Sequence, residues 1–238
     1  MSTANSVPCS QNTMALAVST ALLRLAALYI MKWGYDRLSD LPNAKAIGGQ
    51  RGGYFQFLTI QGLVLAWVTI FLALISDLFH SVSLIRTVKR KLLMISLPVA
   101  TVVASVFWTL NASAPHLLLP SESPSASATP SLIRAPLPVD LALHAIPSLA
   151  MVFEFFFREE AYTKYEIKKN AWVMAVSFTT WYSGWVEYLA SINKRYPYPF
   201  LEAPVTVRIG IYIGAATFGY FSFRVLNSLH RGKPLLKG

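Results

Sequence analysis

Five long stretches without Asp, Glu, Lys or Arg constrain this chain most: residues 1 to 23, 52 to 76, 92 to 121, 171 to 186 and 209 to 223. About 20 mostly apolar residues in a helix are enough to cross a bilayer. Only 13% of the 238 residues are charged, well below the roughly 25% usual in soluble domains. The pattern predicts an all-α, polytopic membrane protein.

Six spans are expected, at about 14 to 31, 55 to 77, 92 to 110, 138 to 157, 171 to 190 and 204 to 224. The fourth has the shortest apolar run and carries His144 and Glu154. No internal repeat stands out, and the connections are too short for a separate domain, so residues 1–238 form one integral-membrane bundle. The amino-terminal run lacks the cationic start of a secretory signal and is read as a retained first span. With six spans, one face collects 11 Lys and Arg and the other 7, which places both termini in the cytosol. The Ser/Pro-rich segment within about 111 to 136 then forms a lumenal loop, with Asn111-Ala112-Ser113 as a glycosylation acceptor.

The formal charge of +10 does not indicate nucleic acid, because the cations sit in short runs between apolar segments, as topogenic charges do. The single cysteine, Cys9, excludes an intrachain disulfide and a cysteine-based metal cluster. No HExxH, GxSxG, GxGxxG or P-loop is present, and no cofactor or metal is expected.

Ionisable groups inside membrane helices are costly and point to function. Counting about 1.5 Å per residue from the lumenal ends of their spans puts Thr59 roughly 8 Å and His144 roughly 9 Å deep. Glu187, Tyr188 and Arg208 fall near the same layer, and Arg24 could face it from below. Each has a plain structural reading as well. A membrane threonine commonly bonds back to a carbonyl one turn earlier, here Phe55 or Gln56. His144 could bridge two helices, Glu187 and Arg208 could reach the interface, and Trp181, Tyr182 and Trp185 with Tyr196 and Tyr198 could form an aromatic belt. The chemical alternative is a hydroxyl nucleophile activated by an imidazole, acting on a lipid-soluble carbonyl.

GGYFQFLTIQGLVL (52–65), LALHAIPSLAMVFEFFF (141–157) and the Trp185 to Tyr198-Pro199 segment together resemble the androgen-induced gene 1 / androgen-dependent TFPI-regulating protein family of multipass membrane proteins. The likeness covers roughly residues 20 to 225. It implies an intramembrane hydrolase of fatty acid esters of hydroxy fatty acids, with Thr59 as nucleophile and His144 as base. On depth, Arg208 is assigned to a fatty-acid carboxylate and Glu187 to orienting His144, with Tyr188 and Trp185 beside the substrate. Pro147 lies closer to the histidine than the family pattern has it, and the third loop looks lengthened. The lipid ester is the expected partner and the endoplasmic reticulum membrane the expected location, with the plasma membrane as alternative. A non-catalytic lipid-binding or transport bundle is the competing function, followed by a scaffold whose basic loops at 86 to 91 and 164 to 169 recruit acidic partners.

Overall fold

A computed structural model describes residues 9–79, 82–119 and 134–230. Every long element among them is helical and no strand occurs. This follows from the solvent, since a lipid-embedded backbone must satisfy its own hydrogen bonds. Six long helices form the bundle: α1 (Cys9–Asp36), α2 (Leu58–Leu78), α3 (Ser83–Ser113), α4 (Leu137–Arg158), α5 (Trp172–Asn193) and α6 (Val205–Leu229). All but α5 have both the length and the hydropathy to cross a bilayer. With 22 residues α5 is long enough, but Thr, Ser, Trp, Tyr and Glu187 dilute its apolar content.

The helix ends differ from the expected span limits in an informative way. The stretch with Arg86, Lys89, Arg90 and Lys91, expected as a loop, is the first two turns of the 31-residue α3. Residues 83–91 contain neither Gly nor Pro, so nothing breaks the helix where the apolar run begins. Helix α3 also continues through Asn111 to Ser113, and a short helix, Pro115–Leu118, follows directly. The Ser/Pro-rich run 121 to 131 lies outside the described residues.

Two polar devices hold the bundle. At the Asp77 end, Glu154, fully buried, accepts from Arg24 Nη2 at 2.8 Å and from Lys89 Nζ at 3.1 Å. Arg24 also reaches Asp77 at 2.5 Å, and Arg158 joins Asp77 at 3.2 Å. Lys89 and Arg90 both meet Glu159, at 2.8 Å and 3.2 Å, and Arg90 continues to Glu166 at 3.3 Å. Four of the six helices and the segment after α4 are thereby cross-linked by charge. Arg24 therefore belongs to this network and does not face the Thr59 layer, which corrects the expectation from depth. Because Lys89 and Arg90 are paired, the 86–91 run is no free basic loop.

At the opposite end, the segment leading into α2 is clamped to α5. Asn193 accepts from the Arg51 N–H at 2.9 Å and donates to the Arg51 carbonyl at 3.0 Å. Gly52 has φ +84°, and a Cβ there would sit 2.5 Å from Leu189 Cδ1. Left-handed backbone and close approach both demand glycine. Trp185 Nε1 donates to the Phe55 carbonyl at 3.1 Å, and Trp181 Nε1 to Gln61 Oε1 at 3.3 Å. These contacts fix where α2 begins, and hence where Thr59 points.

Candidate active site

Thr59 is in the first turn of α2, and its hydroxyl does not bond back along its own chain. Its Oγ1 lies 3.5 Å from His144 Nε2 and 3.4 Å from the Tyr198 hydroxyl. The expected meeting of Thr59 and His144 is thus observed in the geometry.

His144 lies within a wide π turn, Leu141–Ala145, that precedes Pro147. Proline cannot donate to the carbonyl four residues back, here Leu143, and its ring crowds that turn. The helix widens there, and such π turns recur at functional positions. The ring is held on three sides. It stacks on Phe107 of α3 with centroids 3.4 Å apart and planes 4° from parallel. Nδ1 donates to the Asp140 carbonyl at 3.0 Å. A carbonyl only accepts, so in the neutral imidazole Nδ1 carries the proton and Nε2 keeps its lone pair towards Thr59. That is the tautomer a general base requires.

Tyr198 is the participant that sequence reasoning missed. It lies between Pro197 and Pro199 on the α5–α6 connection, edge-on to Phe57 with centroids 5.4 Å apart and stacked on Phe200 at 5.1 Å. Its oxygen accepts from the Thr59 N–H at 3.5 Å. Burial pushes its phenol above the ordinary range, so it stays protonated and remains a donor beside the Thr59 oxygen. The Tyr-Pro pair was visible in the sequence, but as part of an aromatic belt and of the family likeness, with no role in the site.

Thr59, His144, Tyr198 and Asp140 all line one cavity of about 920 Å³. Its lower walls come from α3, α5 and α6 and are almost wholly apolar; its upper end meets Asn43, Gln50 and Arg195.

The other proposed substrate contacts lie elsewhere. Glu187 accepts from Arg208 Nε at 2.7 Å and Nη2 at 3.0 Å, from the Tyr196 hydroxyl at 2.8 Å and from the Tyr212 hydroxyl at 3.1 Å. The Arg208 guanidinium is therefore committed to Glu187. Glu187 does not orient His144, whose two nitrogens face Asp140 and Thr59. Trp185 caps the Phe55 carbonyl, Tyr188 is exposed, and none of these four lines the cavity. The cation that does line it, Arg195, has no ion-pair partner among the described residues. Among those residues no group of three or more His, Cys, Asp or Glu could hold a metal.

Fold and site together define a multipass helical membrane protein with a threonine and a histidine on the wall of an apolar cavity. The chain belongs to the FAR-17a/AIG1-like protein family, which matches residues 19–231. It is 26% identical over 210 residues to a UPF0641 membrane protein of Schizosaccharomyces pombe, covering 88% of this chain and 89% of that one. A UPF0641 membrane protein of Saccharomyces cerevisiae is 26% identical over 219 residues, covering 86% and 88%. No solved structure matches the chain significantly.

Proposed function

We propose that the protein is an intramembrane lipid ester hydrolase with Thr59 as nucleophile and His144 as general base. The observation that carries this reading is the 3.5 Å separation of Thr59 Oγ1 from a His144 nitrogen whose ring proton is held on the far side by Asp140. His144 Nε2 takes the Thr59 proton as Oγ1 bonds to the ester carbonyl carbon. The carbon–oxygen bond to the alcohol then breaks, and His144 returns the proton to the departing alkoxide. Water, activated by the same nitrogen, hydrolyses the acyl-threonine. Tyr198 stands ready to donate to the oxygen that gains charge.

The substrate class is a fatty acid ester of a hydroxy fatty acid. The cavity supplies apolar walls, and Arg195 supplies a cation at the end where a carboxylate would lie. With six spans and both termini in the cytosol, as the charge balance of the loops supports, Thr59 would lie in the lumenal leaflet, and the proposed membrane is that of the endoplasmic reticulum. The alternative is a lipid-binding bundle with no chemistry, which the same apolar cavity favours.

A fluorophosphonate probe separates the two. It is expected to label the wild-type chain at Thr59 and to leave Thr59→Ala unlabelled. Labelling of neither alongside retained lipid binding supports the binder, and equal labelling of both would remove Thr59 as the nucleophile. Arg195→Gln is expected to raise KM about fivefold for an acid-bearing ester, since an exposed ion pair is worth about 1 kcal/mol. The methyl-capped ester should be unaffected; equal changes for both would remove Arg195 from substrate recognition.

A further inference from the structure

We propose that the cavity is a ruler for the uncharged arm of the ester, holding an acyl chain of about 13 to 16 carbons between Thr59 and a closed floor. This rests on the hydrolase reading for its upper end. Its length and its floor are features of the fold alone.

The cavity wall is built from helical faces that run along the bundle. On α5 and the helical turn that runs into it the lining includes Tyr182, Phe178, Ala175 and Ala171; on α6 it includes Tyr212, Ala216, Gly219 and Phe223. These spacings of three and four keep each set on one face of its helix. On α3 the lining extends from Phe107, which stacks on His144, to Met94. Eleven residue steps on α5 or α6 are about 16 Å, and thirteen on α3 about 20 Å, at 1.5 Å per residue. Carbon–carbon bonds of about 1.52 Å at tetrahedral angles advance an extended chain by about 1.25 Å per carbon, which gives about 13 to 16 carbons.

The floor is closed by packing and then by charge. Phe223 and Met94 are 1% and 3% exposed. Phe223 packs against Tyr162 at 5.3 Å and Phe155 at 6.3 Å between ring centroids. The Tyr162 hydroxyl donates to the Arg90 carbonyl at 2.7 Å, and Arg90 belongs to the buried ion network. A hydrocarbon could go further only by opening that network.

Polarity sets the direction. Asn43, Gln50 and Arg195 line the upper end, so an arm bearing a carboxylate stays there. The arm ending in a methyl group goes down.

Small side chains at graded depths make the ruler testable. Ala216 lies four steps below Tyr212, about 6 Å, and Ala175 seven steps below Tyr182, about 10 Å. Phenylalanine at Ala216 should stop a chain near five carbons, and at Ala175 near eight. The experiment uses the full-length protein in nanodiscs with p-nitrophenyl esters of 4, 8, 16 and 20 carbons. Wild type should prefer 16 carbons to 20. Ala216→Phe should lose at least tenfold on 16 carbons and on 8, and stay within twofold on 4. Ala175→Phe should lose at least tenfold on 16 carbons while keeping 4 and 8. Short-ester turnover is the internal control for folding, and the milder Ala216→Leu and Ala175→Leu should show the same order.

Displacement of a fluorescent fatty acid by acids of the same lengths reads the ruler without turnover. An unchanged length profile, or a parallel loss at every length in both the Phe and Leu variants, overturns the proposal. If binding follows the ruler but Thr59→Ala cleaves esters like wild type, the hydrolase reading has failed and the ruler stands. If Thr59→Ala is inactive and the profile does not move, the ruler alone has failed.

Discussion

Thr59→Ala is expected to abolish turnover of branched fatty-acid esters, and His144→Ala to lower kcat by about 10²- to 10⁴-fold, the usual worth of a positioned general base. The two losses should not add. Without the base the hydroxyl is a weak nucleophile, and without the hydroxyl the base has no proton to take, so the double variant should match Thr59→Ala. Thr59→Ser is the informative control. Serine restores the oxygen but loses the β-branch that limits side-chain rotamers, so activity should return in part, with the deficit in kcat and not in KM. Folding is checked by the fatty-acid displacement assay, which needs no hydroxyl. A Thr59→Ala protein that binds lipid and hydrolyses esters at the wild-type rate would exclude the nucleophile.

The shared layer of Thr59 and His144 was legible because helical rise is nearly constant, and the family resemblance, not depth, implied their pairing. Two residues a similar number of positions inside spans that start on one face must share a layer, whatever the side chains between them. Depth alone gives no azimuth, and that is where the sequence misleads. Glu187 and Arg208 lie near the expected layer but turn towards each other, because a carboxylate and a guanidinium 21 positions apart on adjacent helices satisfy one another. Tyr198 was hidden for another reason. It sits on a Pro-flanked connection with no regular rise, so no count of residues gives its depth. Arg195 belongs to the same connection. Lys89 and Arg90 show that the end of an apolar run does not mark where the helix stops, because ion pairs with Glu154, Glu159 and Glu166 accommodate the charges on α3 beyond it.

Loss of the Glu154 carboxylate should be the most destabilising single change in the chain. Arg24, 2% exposed, and Lys89, 6% exposed, both pair with it. Asp77 and Glu159 remain as their other partners, so Glu154→Ala leaves the cluster with one surplus buried cation and a cavity. Removing one partner from a buried ion pair costs about 3 to 5 kcal/mol. For a chain of this size that is a fall in Tm of about 6 to 20 °C. Glu154→Gln keeps the volume, so a similar fall there would assign the loss to charge and not to packing. The decisive measurement is compensation. Lys89→Met in the Glu154→Gln background restores the balance of charge, leaving Arg24 to Asp77 and Arg90 to Glu159, and should recover about half the lost Tm. The network also seals the floor beneath Phe223. Glu154→Gln should therefore loosen acyl-length discrimination at 20 carbons while Thr59 chemistry on 4-carbon esters persists. Melting curves within 2 °C of wild type for all three variants would show that these charges do not hold the helices together.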